Sequence, residues 1–165
     1  MLKVTKLFYD NKTNRVIVNL FGTNMKRQID EPNYFSTKGR YYFIKRREIM
    51  KLIRTYKAQE VVFNQGEPFC QTDLLDAITR YLSRNTKPKI KITLKTNGTL
   101  IPFCITRKIN YIVEPLLHSS GKEQNTRLRK DILKIFKNRD TEWVFKPKTQ
   151  EDIEDVERIK KWVGI

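Results

Sequence analysis

The segment Val61–Pro68 reads Val-Val-Phe-Asn-Gln-Gly-Glu-Pro, an apolar run that ends in a turn containing Gly and Pro. A run of this composition predicts a buried strand followed by a tight loop. Apolar residues at helical spacing lie on both sides of it, in residues 49–56 before the strand and 74–82 after it. This helix–strand–helix order predicts parallel βαβ units, in which ligands bind at the loops after the carboxyl ends of the strands.

The remainder of the chain continues the same pattern of strands and helices. The predicted strands are Leu2–Tyr9, Arg15–Phe21, Tyr41–Ile44, Glu60–Phe63, Lys89–Leu94, Asn110–Val113 and Glu142–Lys146. Apolar stripes predict four helices, over residues 49–56, 74–82, 128–136 and 153–163. Asp10–Asn14 is expected to be a hairpin turn, and Thr149 with Asp152 forms a capping-box-like start for the last helix.

Five segments carry a family resemblance when they are taken together and in order. They are Lys3–Tyr9, Val61–Pro68, Lys95–Thr99, Pro115–Gly121, and Phe145–Lys146 with Glu151–Ile153. They resemble corresponding segments of 7-carboxy-7-deazaguanine synthases, which are radical S-adenosylmethionine (radical-SAM) enzymes. The resemblance covers nearly the whole chain and implies an α/β fold, the partial (β/α) barrel of radical-SAM proteins, as a single domain over residues 1–165. The family's last strand and helix have no counterpart before Ile165, so the barrel is expected to be truncated at its C-terminus.

The segment Gly22–Asp30 resembles the family's loop of three cysteines, which holds an iron–sulfur cluster. Thr23, Arg27 and Asp30 stand at the three cysteine positions. Because such a cluster needs thiolate ligands, these residues cannot replace the cysteines. The resemblance therefore implies a protein without catalytic activity that holds no cluster, no metal and no other cofactor.

Other departures fall on the rest of the site that the resemblance implies. A vestigial cofactor crevice is expected from the residues of two loops, Gln65, Gly66, Glu67, Thr96, Asn97 and Thr99. Gln65 replaces a glycine of the family's turn, and a side chain there would obstruct the close approach of a ligand. Lys95 replaces an acid, Glu114 and Leu116 replace Ser and Lys beside Pro115, and Glu31-Pro32 replaces the Asp-Thr that binds magnesium in the family.

The chain is strongly basic, with 34 Lys and Arg against 18 Asp and Glu and a formal net charge of +16. A small domain needs a net charge of only roughly 2–8 to remain in solution. The excess indicates a polyanionic partner, and nucleic acid, RNA rather than DNA, is the partner we expect. A larger ribonucleoprotein assembly is a further expectation.

Clusters of basic residues, partly interleaved with aromatic ones, supply the candidate contacts. The candidate nucleic-acid-binding residues are Arg40, Lys45, Arg46, Arg47, Lys51, Arg54, Lys122, Arg127, Arg129, Lys130, Lys134, Lys146 and Lys148. Arg and Lys pair with phosphates, while Tyr and Phe provide surfaces on which bases stack. The alternative is that Tyr41, Phe43 and half of the helix after them face the core and that the charges are merely solvated.

Three functions remain open on the sequence. The first is an inactive radical-SAM-fold protein that acts as an RNA-binding or ribonucleoprotein component. The second is a cluster-independent enzyme of the 7-deazaguanine type that binds a nucleotide through Glu67, Asn97 and Thr99. The third is a protein–protein regulator or inhibitor whose basic face meets an acidic protein.

Composition limits the setting in which the protein works. Its 39% hydrophobic residues argue against disorder, and no apolar run approaches the ~20 residues that cross a bilayer. A strand-like segment begins at Leu2, so we expect no secretion signal and no membrane partner, and a location in the cytoplasm or in an organelle that encodes the protein. Cys70 and Cys104 are expected to be small buried hydrophobic residues.

Overall fold

A computed structural model describes residues 1–25, 40–102 and 108–165. Its strands are β1 (Leu2–Asp10), β2 (Arg15–Leu20), β3 (Tyr42–Ile44), β4 (Glu60–Asn64), β5 (Lys91–Thr96), β6 (Asn110–Val113) and β7 (Thr141–Trp143). Its helices are α1 (Arg46–Tyr56), α2 (Thr72–Asn85), α3 (Gln124–Arg127), α4 (Lys130–Lys137) and α5 (Gln150–Val163), with short 3₁₀ turns at Pro68–Gln71 and His118–Ser120. All seven predicted strands are confirmed; β6 agrees at both ends, and the ends of the other strands differ from the prediction by at most three residues.

The described strands form one open sheet in the order β3-β1-β2-β4-β5-β6-β7. Strands β2, β4, β5, β6 and β7 run parallel, whereas β1 is antiparallel to both β2 and β3. The turn Asp10–Asn14 is confirmed, because the Asp10 carboxylate accepts from the Lys12 amide at 3.1 Å and the Thr13 hydroxyl at 2.5 Å. The predicted α/β fold with a mostly parallel sheet is thus confirmed.

The core lies between the helices and one face of the sheet. Its fully buried members include Phe63 of β4, Leu94 of β5, Leu75 of α2 and Phe136 of α4. Burying each such side chain contributes about 1.5–3 kcal/mol. Three residues of the predicted stripes, Tyr56, Leu74 and Ile153, are instead 41–49% exposed because they lie at the borders of their apolar faces.

The third predicted helix is divided in two. α3 ends at Arg127 and α4 begins at Lys130, so Leu128 lies between them and is nonetheless buried. The expectation that Cys70 is buried was wrong, because Cys70 lies in the 3₁₀ turn Pro68–Gln71 and its side chain is exposed. Cys104 lies outside the described residues. No helix of the described ranges is both long and apolar enough to span a membrane.

Asp152 joins the last helix to the loop after β6. Its carboxylate accepts from the backbone N–H of Thr149, which confirms the predicted capping box. The same carboxylate also accepts from the backbone N–H groups of Ser119 at 2.7 Å and Lys148 at 2.8 Å. Burial opposes ionisation, but these hydrogen bonds prevail and lower the pKa of Asp152. One buried carboxylate thus fixes two segments of the family resemblance to each other.

Arg127 is a correction to the predicted basic surface. Its side chain is 3% exposed and forms an ion pair with Asp155 of α5. Its Nε also donates to the Lys122 carbonyl at 2.9 Å. The turn between α3 and α4 directs this guanidinium into the protein. Because it is enclosed there, it cannot bind a phosphate.

We expect Arg127→Met to lower the free energy of unfolding by about 3 kcal/mol, because it leaves the buried Asp155 with only the half-buried Arg158 as a cationic partner. Arg129→Met is the matched control. Arg129 is 46% exposed and pairs with Asp131 at the surface, so its loss should cost less than about 1 kcal/mol. Urea denaturation of the two variants measures both values, and equal effects would contradict the structural role of Arg127.

Candidate functional site

Three loops meet at the carboxyl ends of the parallel strands. They are Gly22–Met25 after β2, Gln65–Glu67 after β4, and Asn97–Thr99 after β5. The crevice residues predicted from the sequence all lie in or beside these loops. Thr23 lies there too and accepts a hydrogen bond from the Met25 amide at 3.0 Å, whereas Arg27 and Asp30 lie outside the described residues.

Glu67 is the buried centre of this region, with 0% exposure. One carboxylate oxygen accepts from the Thr96 hydroxyl at 2.8 Å and the Phe69 amide at 3.3 Å, and the other accepts from the Asn97 amide at 3.0 Å. Its own amide donates to the Gly22 carbonyl at 2.8 Å. The side chain therefore connects the β4 and β5 loops and is enclosed by protein groups.

The environment of Glu67 opposes its ionisation. Burial raises the pKa of the carboxyl to about 7, and the three hydrogen bonds that it accepts only partly offset this effect. The carboxyl of Glu67 therefore changes between its protonated and ionised forms near neutral pH, and it does so at a position that links two loops.

The turn before Glu67 uses left-handed backbone. Gln65 has φ +52° and Gly66 has φ +61°. A Cβ at Gly66 would lie 2.7 Å from the Leu20 carbonyl oxygen and 2.8 Å from that of Gly22, so a side chain is excluded there. Gln65 therefore holds a left-handed conformation that favours glycine and that a residue with a Cβ adopts only at an energetic cost.

Polar side chains link the first and third loops. The side-chain amide of Asn24 donates to the Thr99 hydroxyl at 2.8 Å, and the side-chain amide of Asn97 donates to Asn24 Oδ1 at 3.1 Å. Asn97 Oδ1 in turn accepts from the Thr99 amide at 3.0 Å. The structure thus brings the predicted crevice residues together, and it adds Asn24, which sequence reasoning did not single out.

A cavity of about 420 Å³ opens beside this network. It is lined by Asn24, Met25, Thr99, Leu100, Asn125, Thr126 and Arg129. Within the described ranges, no three His, Cys, Asp or Glu side chains are grouped so that they could hold a metal ion.

The charge at Lys95 is balanced by a neighbour. Lys95 Nζ lies 2.6 Å from Glu114 Oε2, and Lys146 Nζ lies 2.8 Å from Glu114 Oε1. Although partial burial acts against it, these two cations hold the pKa of Glu114 below its usual range. Lys95 and Glu114 therefore form one interaction between the ends of β5 and β6, and Lys146 is a paired rather than a free cation.

Helix α1 carries the clearest basic surface. Arg47, Lys51 and Arg54 follow each other at spacings of four and three, so they share one exposed face of the helix. No acidic side chain of the described residues pairs with them. Arg46 differs, because its guanidinium lies over the Tyr81 ring of α2 at 4.3 Å.

The other predicted cations lie on separate surfaces. Arg40, Lys45 and Lys148 are exposed, and Lys122 is half-buried. On α4, Lys130 and Lys134 are exposed, and Lys130 Nζ lies 5.7 Å from the centre of the Trp162 ring. The structure therefore brings the α1 cations together as one group, and it does not gather the whole set into a single surface.

We expect the free energy of unfolding to fall by about 2 kcal/mol as the pH rises from 5 to 8. The raised pKa of Glu67 means that the folded state binds its proton more tightly than the unfolded chain, so this stabilisation is full at low pH and is lost as the pH passes 7. Urea denaturation across this range measures the decline, and Glu67→Gln should flatten it.

Glu114→Gln is the control for that experiment. Because the pKa of Glu114 is lowered, its contribution changes below pH 5, and the decline between pH 5 and 8 should persist in this variant. A decline that is unchanged in Glu67→Gln would contradict the assignment.

Comparisons with known proteins bear on the fold. No protein-family model matches the chain, and no curated protein matches its sequence. A solved structure, the crystal structure of QueE from Escherichia coli, is similar with a TM-score of 0.64 and 16% sequence identity. The match covers 97% of this chain and 77% of that one. The described elements therefore have a fold similar to that of QueE.

Proposed function

We propose that this chain is a radical-SAM-fold protein without cluster chemistry that binds RNA through its basic surfaces, as a component of a ribonucleoprotein. The observation that carries the proposal is the face of α1 formed by Arg47, Lys51 and Arg54, where three cations stand without acidic partners among the described residues. Phosphate binding needs several such separate contacts rather than a catalytic motif.

The residues of the former cluster loop do not fit an iron–sulfur cluster. A hydroxyl, a guanidinium and a carboxylate stand at 23, 27 and 30, and the chain's two cysteines are at 70 and 104. The Thr23 hydroxyl already accepts a hydrogen bond from the Met25 amide. We therefore derive no chemical step through a cluster or through S-adenosylmethionine.

The crevice residues support the same proposal, because their polar groups bond to one another. Glu67 is enclosed, and Asn24, Asn97 and Thr99 hydrogen-bond to one another. These residues act as connections between loops, a role that explains why the Asn-Gly and Gly-Glu-Pro turns persist.

A cluster-independent, nucleotide-binding enzyme is the second candidate, and the cavity beside Thr99 favours it. Glu67→Gln is a poor test of that candidate, because Glu67 is enclosed by protein groups and is not among the residues that line the cavity. Asn125→Leu is a better test, since Asn125 is exposed and lines the cavity. Loss of nucleotide binding in Asn125→Leu, together with undiminished RNA binding when Arg47, Lys51 and Arg54 of α1 are changed to Glu, would favour the enzyme.

We expect anaerobic reconstitution with iron and sulfide to yield no stable cluster, because thiolate ligands are missing from the loop. Visible absorbance and iron analysis after desalting measure the result. Stoichiometric iron with sulfide-to-iron charge-transfer bands would contradict the proposal that cluster chemistry has been lost.

We expect the triple variant Arg47→Glu/Lys51→Glu/Arg54→Glu to bind single-stranded RNA more than tenfold more weakly. The slope of log affinity against log salt should also become shallower by about 2, because three phosphate contacts are lost. Fluorescence anisotropy over a salt series measures both quantities. The fold should survive, since these side chains lie outside the buried face of α1.

Arg84→Glu/Lys87→Glu/Lys89→Glu is the matched control. These three exposed residues follow one another where α2 leads into β5, and the change in net charge is the same. Equal weakening in both triple variants would show that binding follows overall charge rather than the α1 face. Binding that is insensitive to salt in the unmodified protein would contradict the proposed function itself.

A further inference from the structure

One face at the β3 edge of the sheet carries aromatic rings beside lysines. Ile44 of β3 and its partner Leu2 of β1 are fully buried on the face that packs against α1. Lys3 pairs with Phe43 in the same ladder, so both side chains point to the opposite face. Tyr41 is 45% exposed and Phe43 is 49% exposed there.

Contacts among these side chains define a continuous surface. The Tyr41 ring lies 4.6 Å from the Phe21 ring and 5.6 Å from the Phe43 ring, measured between centres. The Lys3 ammonium lies 5.3 Å from the centre of the Tyr41 ring. Three aromatic residues and one cation thus form a single group on this face.

A β-bulge extends the group along β1. The register with β2 shifts between Val4 and Lys6, so Lys6 and Phe8 remain on the face of Lys3 although strict alternation would turn them towards the helices. Tyr9, the next residue, stacks on Tyr56 of α1 on the other face. Lys6 Nζ lies 4.7 Å from the centre of the Phe8 ring and so repeats the cation–aromatic pairing.

We propose that this surface binds the unpaired bases of single-stranded RNA by stacking, and we call it the stacking platform. Its members are Lys3, Lys6, Phe8, Phe21, Tyr41 and Phe43. The inference rests on the proposed function, and it specifies single-stranded RNA as the ligand and this face of the sheet as the surface that binds it. Aromatic rings on an open sheet take base faces, while nearby cations take the phosphates.

Charge favours this occupant over a second copy of the chain or an apolar protein. No acidic side chain of the described residues pairs with Lys3 or Lys6. A two-fold contact between copies would bring the lysines of both copies into one interface and so add like charge there. The platform extends about 16 Å from Lys3 to Phe8, at about 3.3 Å per residue, which leaves room for several nucleotides. A duplex offers no free base faces, so the ligand is single-stranded.

The test is the double variant Tyr41→Ala/Phe43→Ala of the full chain. Fluorescence anisotropy with a labelled oligouridine of about twelve nucleotides, and with a duplex of the same length, measures its affinity. We expect a loss of about tenfold or more for the single strand, with an unchanged salt slope, because stacking rather than ion pairing is removed. The duplex should bind the double variant and the unmodified protein alike.

Two further variants control the experiment. Tyr42→Ala removes a ring of similar exposure, 44%, from the opposite face of the same strand, and it should leave affinity within twofold. Phe43→Trp keeps a stacking ring and should retain binding, which separates stacking from folding. Thermal unfolding of every variant monitors the fold.

Each remaining outcome overturns a stated claim. If the double variant and Tyr42→Ala bind the single-stranded RNA with equal affinity, and the binding still depends on salt, the stacking platform is contradicted. The proposal of RNA binding through basic surfaces would then remain. No binding of either RNA by the unmodified chain at low salt would overturn both. Self-association that the double variant abolishes would assign the surface to a second copy and overturn the platform.

Discussion

The carboxylate of Glu67 is the connection on which the ligand-facing end of the sheet depends. It accepts three hydrogen bonds from residues after β4 and β5, and its own amide reaches the loop after β2. Gly66 allows the close approach, because a Cβ at this position would lie within 2.8 Å of the Leu20 and Gly22 carbonyl oxygens. The carboxylate is thus enclosed between three strand ends.

Positive charge is distributed unevenly over the fold. Helix α5 mixes acids and bases and pairs several of them, as in Arg158–Asp155 and Lys160–Glu157. Helix α1, with four cations and one acid, has no such balance. Ordinary solvated surfaces resemble α5, and the contrast between the two helices is why a polyanionic partner is proposed on the side of α1.

Much of the fold followed from periodicity, since strand composition and apolar stripes identify elements without knowledge of distant contacts. The site was harder to anticipate, because the partners of Glu67 lie about thirty positions away and burial decides its role. Arg127 and Arg129 illustrate the limit. They are two positions apart in one basic run, yet a break between helices buries the first beside Asp155 and leaves the second in solvent. The aromatic face was also predicted only in part. A β-bulge sets the direction of Lys6 and Phe8, and no pattern in the sequence indicates that bulge.

The pairing of Lys95 with Glu114 makes the effects of substitutions at the two positions depend on each other. An acid at 95 alone would stand within reach of the Glu114 carboxylate, and a neutral residue at 114 alone would leave Lys95 and Lys146 facing each other. Each single substitution therefore introduces a repulsion that the double substitution avoids, because an acid at 95 could then pair with Lys146. The two positions are epistatic, and the charges at this edge of the sheet can be exchanged without loss of stability only when both change together.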